Sequence, residues 1–341
     1  MVVVIIAGGS GTRLWPLSTH GYPKHLLRIT DQQSLLQNTF NRAAQLATEV
    51  YVISEAGHVQ HIYEQLPELP KANVIVEPAR RGTASCIVAA LARIKQHHAA
   101  EEPVVFMHAD HHIRDTNGFL RGITRAAEAA VAQQRIVLLG LVPTRAETGF
   151  GYIERGGDAN GGHLFDVVSF KEKPDKSTAQ QYLESGQYLW NMGYFVAPLG
   201  VFEQRLADHA PHLWKNYQAL LTAEDDAAHN ERYLEFANEP IDIALIEQVP
   251  DLLVVTGSFD WMDIGSYKDL HEVNEQDAGG NVISGPVQTE KLTNSFVRNE
   301  TDVPVGVIGL DNVAVVVTDN GIIVTNKNHS QDVGTVAKRI Q

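Results

Sequence analysis

The chain opens on an unbroken β-branched run, Val2 to Ile6, that leads directly into the glycine cluster Ala7-Gly8-Gly9-Ser10-Gly11. A near-continuous Val/Ile run is the mark of a strand covered on both faces, as in a parallel sheet, rather than of a half-exposed strand. Similar apolar runs recur at 49–54, 73–77, 103–110 and 135–143, with helix-like segments at 33–47, 82–100 and 117–134 between them. In the second of these helices Ile87, Ala90, Leu91 and Ile94 share a face, as do Phe119, Ile123, Ala126 and Ala127 in the third. Strand and helix alternate, which predicts a Rossmann-like, doubly wound α/β sheet over residues 1–145.

From about residue 146 the rhythm changes to hairpin-like pieces, "GFGYIERGG", "HLFDVVSFKEKPD" and "YLWNMGYFVAP", followed by a helical stretch over 199–249. These predict that the sheet is mixed and that 146–280 forms a second half of one large domain. Beyond "DAGGNVISGP" the sequence turns to short valine-rich strands separated by Gly, Asn and Asp, so 281–341 is expected to be a small all-β tail. Left-handed β-helix-like coils are one arrangement for it, although no clean hexapeptide repeat is visible. A length of 341 residues suits one large domain with a smaller appendage.

Net charge bounds the partners. With 41 acidic and 27 basic residues the chain carries −14, and no Lys/Arg-rich block stands out, so nucleic acid and anionic membrane are poor partners. A polyanionic ligand would need a local basic spot or a divalent metal. The lone Cys86 cannot form an internal disulfide, and "MVVVIIAGG" is too short for a signal peptide or membrane span, so a cytoplasmic location is expected.

The glycine cluster fails two familiar templates. A Walker A loop requires G-x-x-x-x-G-K-[ST], and no such GK[ST] follows Gly8 and Gly9. The dinucleotide fingerprint G-x-G-x-x-G is broken by Leu14, and the second strand ends "YVIS" with no acidic residue. What remains is a strand feeding a Gly-Gly-Ser-Gly turn, with Arg13 beyond it and Lys24 after Pro16 and Pro23. Such glycines let backbone amides approach a triphosphate, and the two cations supply the basic spot.

These residues carry a resemblance. "AGGSGTRLWPLS…PK" is similar to the signature of the sugar-1-phosphate nucleotidyltransferases, and the tryptophan of "GTRLWP" resembles their mannose-1-phosphate guanylyltransferase branch. Further stations follow in order: "EPARRGTASCIVAA", "MHADHHI", "TGFGYIERG", "FKEKPD", "WNMGYF" and "DWMDIGSYKDL". The resemblance implies a glycosyltransferase-A-like catalytic domain over 1–280, with nucleotide handled by 1–145 and sugar phosphate by 146–280. It also implies roles. Ala7, Gly8, Gly9, Gly11, Thr12, Arg13, Lys24, Glu77, Thr83 and Asp110 would bind the nucleotide, and Asp110 and Asp263 would hold Mg2+. Gly151, Glu172, Lys173 and Asn191 would bind the sugar phosphate, while Arg13, Lys24, Asp110, Lys173 and Asp263 form the catalytic set.

Elementary chemistry agrees in part. Asp110 closes a strand, where open α/β sheets place ligands, and Mg2+ takes one or two carboxylates plus substrate phosphates. His108, His111 and His112 match no common structural zinc spacing. Glu172 and Lys173 are neighbours, so they serve one ligand only from a bent backbone. The sequence departs from the family at His25, His108 and Met192, where Gln, Pro and Ser are usual, which leaves base and sugar preference open.

The expected activity is GTP plus mannose 1-phosphate giving GDP-mannose and pyrophosphate. Another sugar 1-phosphate or base, or a paralogue that binds nucleotide-sugar without turnover, are the alternatives. The family's bifunctional relatives carry a phosphomannose isomerase domain after the transferase, and residues 281–341 are too few for one, so a monofunctional protein is expected. Its tail is expected to brace the core or to form a homodimer contact.

Overall fold

The computed structural model describes residues 1–9, 11–159 and 162–340. Ser10, the serine of the glycine turn, lies outside the described residues. In chain order the first half runs β1 (Val2–Ala7), α1 (Leu35–Ala43), β2 (Glu49–Glu55), α2 (Val59–Gln65), β3 (Val74–Glu77), α3 (Gly82–Lys95), β4 (Pro103–His108), β5 (His111–His112), α4 (Thr116–Gln133) and β6 (Val137–Leu141). The second runs β7 (Tyr152–Asp158), β8 (Leu164–Lys171), α5 (Lys176–Ser185), β9 (Tyr188–Pro198), α6 (Leu199–His209), α7 (Pro211–Leu221), α8 (Asp226–Leu234), α9 (Ile241–Ala244), β10 (Leu253–Thr256), β11 (Met262–Asp263) and α10 (Tyr267–Val273).

Nine strands form one mixed sheet in the order β3-β2-β1-β4-β9-β6-β10-β8-β7. β1 pairs in parallel with β2 and β4, while β9 runs antiparallel between β4 and β6. The sheet therefore passes from the first half of the chain to the second without a break. Alternation along β1 decides the layers: Val2, Val4 and Ile6 face a core shared with α3, α6 and α7, and Val3, Ile5 and Ala7 face one shared with α1, α2 and α4. Both faces are covered, which is why β1 reads as uninterrupted Val and Ile.

Local signals set the helix ends. Ser34 caps α1 in a capping box with Gln37, Asp115 caps α4 through Gly118 N, and Asp175 caps α5, which ends at left-handed Gly186. Among the described residues, no helix is long and apolar enough to cross a membrane.

The tail departs from its expectation. Strands β12 (Val282–Ser284), β14 (Phe296–Asn299) and β16 (Val313–Thr318) pair in parallel, as do β13 (Val287–Glu290) and β15 (Val305–Ile308). β17 (Gly321–Asn326) then turns back antiparallel on β16, and the chain closes with helical turns at Lys327–Asp332 and α11 (Val333–Ile340). The tail is thus not all-β. Its last segment, "VGTVAKRI", is valine-rich like a strand, but Val333, Gly334 and Ala337 fall at helical spacing and are the buried ones.

A third core cluster fixes the tail to the loop that follows β1. Leu14, Trp15 and Leu17 pack with Ile264, Tyr267, Phe296, Val316, Val333 and Ala337. Tyr267 is fully buried, and its hydroxyl, shared between two acceptors, donates to the carbonyls of Leu14 and Trp15 at 2.8 Å each. Tyr267→Phe should leave both carbonyls short of a donor and cost roughly 1–3 kcal/mol. Its melting temperature should fall by several degrees without loss of far-ultraviolet circular dichroism.

Candidate active site

The strand-ends of the sheet frame a cleft of about 280 Å³, into which Asp110, Gly151, Glu172, Asn191 and Asp263 project from separate segments. Asp110 follows β4. Asp263 is brought to it by a two-strand bridge in which β11 pairs antiparallel with β5, setting Asp263 opposite His111 and Met262 opposite His112. Between the two carboxylates lies the ammonium of Lys24, 2.9 Å from Asp110 Oδ2 and 2.6 Å from Asp263 Oδ1. Lys24 is buried, whereas the aspartate side chains keep 27% and 30% of their exposure and face the cleft.

Burial works against every charge in this triad, and mutual attraction overrides it. Lys24 is pushed above the usual lysine range by Asp110 and Asp263, and both carboxyls are held below the usual carboxylate range chiefly by Lys24. The triad's contribution to stability is complete between about pH 4 and pH 10, lost in acid as the aspartates protonate and in alkali as Lys24 deprotonates.

The glycine turn abuts this triad. Gly11 has φ 58°, its carbonyl accepts the Ser18 hydroxyl at 2.5 Å, and a Cβ there would lie 2.6 Å from the Cβ of Lys24. Only glycine supplies both the backbone conformation and the space. Ala7, Gly8, Gly9 and Thr12 complete the turn between β1 and a helical turn at Thr12–Leu14. Arg13, exposed, does not line the cleft; its Nη1 donates to Gln331 Oε1 of the tail at 2.8 Å.

Elsewhere along the cleft, Lys173 takes a left-handed φ of 46°, the bend that lets Glu172 and Lys173 share one side, and its ammonium lies 2.6 Å from Glu172 Oε1. A Cβ at Gly151 would meet Glu172 Oε2 at 2.5 Å, so the strand approaches that carboxylate as closely as a side chain would forbid. Asn191 donates its amide to Asp242 Oδ1 at 2.9 Å and accepts from Gly193 N at 3.0 Å, which fixes its rotamer. Thr83 lines the cleft and accepts from the Ile241 amide at 2.9 Å.

Glu77 is placed elsewhere. It closes β3, is buried, and its carboxylate accepts from the hydroxyl of Tyr233 on α8. Burial pushes its carboxyl up to about 7 despite that bond. Glu77 is not among the residues lining the cleft.

The departures at His25, His108 and Met192 all lie close to the site. His108 and Met192 line the cleft, and His108 Nε2 occupies the space beside Gly193. His25, next to Lys24, is buried against His58 with its Nε2 unpartnered, and burial pushes it down to about 3. His111, hydrogen-bonded to the Tyr194 hydroxyl at 2.9 Å, is likewise pushed to about 3 by burial. Both imidazoles are neutral at physiological pH.

Sequence reasoning did not nominate Asp242 or Trp261, which also line the cleft. Burial and the nearby Glu172 push Asp242 up to about 6. It sits in the one-turn helix α9, whose "IDIA" carries no sequence signal. Trp261 was signalled only by its place beside the proposed metal ligand; its ring packs on Phe150 and His111 at 5.0 and 5.2 Å.

A family model for nucleotidyl transferases matches residues 2–279. A mannose-1-phosphate guanylyltransferase of Escherichia coli is 35% identical over 343 residues, covering 98% of this chain and 72% of that protein. A putative mannose-1-phosphate guanylyltransferase of Vibrio cholerae is 34% identical over 354 residues, covering 100% and 74%. Among solved structures, one described as a mannose-1-phosphate geranyltransferase from Thermus thermophilus superposes with a TM-score of 0.89 at 28% identity, covering 99% of this chain and 98% of that one.

Glu77 yields a pH test. A carboxyl whose folded pKa is raised holds its proton more tightly in the native state, so it lowers stability as pH rises from about 4.5 to 7. Glu77→Gln should remove that decline, which is on the order of 3 kcal/mol. Urea midpoints at pH 5, 6, 7 and 8 for both proteins check it, and parallel profiles would count against the raised pKa.

Proposed function

The chain belongs to the nucleotidyl transferase family, and on that premise we propose that it is a mannose-1-phosphate guanylyltransferase, joining GTP and α-D-mannose 1-phosphate into GDP-mannose with release of pyrophosphate. The observation that carries this reading is a cleft lined by Asp110 and Asp263, which the buried Lys24 joins from behind, and also by Glu172, Lys173 and Asn191. The first set suits a triphosphate. The second suits a hydroxylated ring bearing a phosphate.

A phosphate oxygen of the sugar substrate attacks the α-phosphorus in line, forming one P–O bond as the bond to pyrophosphate breaks. The nucleophile is already an anion and needs no general base, which accords with neutral His111 bonding to the Tyr194 hydroxyl and neutral His25 packing edge-on against His58. Catalysis is then positioning and charge neutralisation. Lys173, exposed at the cleft mouth, meets the sugar phosphate, while Glu172 and Asn191 hold the ring hydroxyls, Asn191 aligned by Asp242. Lys24 and Arg13 take the charge of the triphosphate.

The donor set suits a magnesium ion. Two carboxylates and one ammonium leave the triad net negative, and the two side chains that would ligate offer oxygen atoms that face the cleft. A Mg2+ held by Asp110 and Asp263 would take its remaining ligands from substrate phosphates and supply neutralisation of their charge.

We place the enzyme in the cytoplasm, in keeping with its single, buried and unpaired Cys86, and read the parallel ladders of the tail as β-helix-like coils.

Purified protein with Mg2+ should release pyrophosphate from GTP and mannose 1-phosphate faster than from UTP, CTP, ATP or dTTP, or than with glucose, fucose or heptose 1-phosphates. Turnover with another base or sugar alone would replace that part of the reading, and GDP-mannose binding without any turnover would sink the catalytic one. Asp110→Asn should cut kcat/KM about a hundredfold or more, as removal of a transition-state charge contact does.

A further inference from the structure

Arg13 belongs to the loop that leads from β1 to Lys24, yet its surroundings come from the far end of the chain. Its aliphatic stem lies on Gly334 of α11, where a Cβ would approach Arg13 Cγ to 3.2 Å. Its guanidinium lies over Gly265, two residues beyond Asp263, where a Cβ would approach Nη2 to 3.2 Å. At the tip, Nη1 donates to Gln331 at 2.8 Å, and Arg13 forms no ion pair among the described residues.

The backbone on either side is fixed by the same segment. Trp15 fills the space beside Gly321, whose Cβ would fall 2.5 Å from its ring. The Pro16 carbonyl accepts from Thr318 Oγ1 and Asn320 Nδ2, both at 3.4 Å. Gln331 makes no hydrogen bond through its side chain other than that to Arg13, among the described residues. Gln331 is exposed, and its side-chain hydrogen bonding is directed at that arginine.

We propose that the C-terminal segment completes the triphosphate subsite, with Gln331 as the positioning residue that holds Arg13 extended in a slot between Gly265 and Gly334. A guanidinium has five N–H donors, so one bond to Gln331 leaves the rest for phosphate oxygens. Holding a long side chain in its working conformation before the ligand arrives removes an ordering cost from binding. The family's matched region ends at residue 279, so this support lies outside it.

The proposal rests on the nucleotidyltransferase reading, and its test separates the two. In full-length protein, Gln331→Leu should raise KM for GTP roughly tenfold, the worth of one hydrogen bond to a charged group. KM for mannose 1-phosphate and the melting temperature should stay unchanged. Gln331→Asn, which keeps a neutral amide acceptor one methylene shorter, should raise KM for GTP less than Gln331→Leu does. Gly334→Ala should raise it too, without lowering the melting temperature, since alanine is the better helix former. In the Arg13→Ala background Gln331→Leu should add nothing.

Calorimetric Kd for GTP with Mg2+ reads the same comparison independently of turnover. A wild type that binds GTP but does not turn it over would overturn the catalytic reading while still reporting on Gln331. An unchanged KM and Kd in Gln331→Leu, a loss that falls equally on both substrates, or an additive loss in the double variant would overturn the positioning role.

Discussion

Everything at the cleft depends on one buried ammonium shared by two carboxylates. Lys24, Asp110 and Asp263 come from three regions of the chain that share no secondary-structure element, and each would carry an uncompensated charge without the others. Burying a lone charge is expensive, so the three must arrive together or not at all. The two-residue bridge between β5 and β11 acquires its importance from this: it has almost no hydrogen-bonding worth of its own, but it fixes where the second carboxylate stands.

The sheet distributes the work on either side. β1 and β4 carry the glycine turn and Asp110 from their ends, and β9, inserted antiparallel next to β4, carries Asn191. Asp110, which follows β4, and Asn191 of β9 therefore leave from neighbouring strands of one continuous sheet, while Glu172 and Lys173 reach the same cleft from the end of β8. The separation between Asp110 and Asn191 is tied to interstrand spacing, which is among the least deformable distances in a protein.

Much of this was legible in the sequence where a local pattern had a physical cause. The two-face burial of β1 shows as continuous Val and Ile, and the apolar faces of α3 and α4 show as helical spacing whose members are all buried. Asp110, Lys24 and Asp263 were nominated by their places in quoted motifs, and the structure brings them within hydrogen-bond distance. What stayed hidden depends on tertiary contact. Asp242 lies on a single helical turn, and only the fold aims it at Asn191. Gln331 lies in a polar stretch, "KNHSQD", and nothing local distinguishes it from solvent-facing neighbours. Glu77 stands in a quoted motif, but its partner Tyr233 comes from a distant helix that no spacing rule connects to it. The closing helix was mistaken for strand because short valine-rich segments satisfy both periodicities, and α11 docks by three small contacts rather than a long stripe.

The packing of Trp15 against Gly321 has a bearing on descent. A large ring on the first loop and a missing side chain on the last hairpin are two halves of one shape, so a side chain at position 321 would need the ring of Trp15 to give way. Exchanging the C-terminal segment between relatives would therefore not be a neutral transplant of a peripheral module. The heritable unit is the loop together with its distant counterpart, and a hybrid chain would inherit a mismatch where Trp15 seats on residue 321 before it met any difference in chemistry.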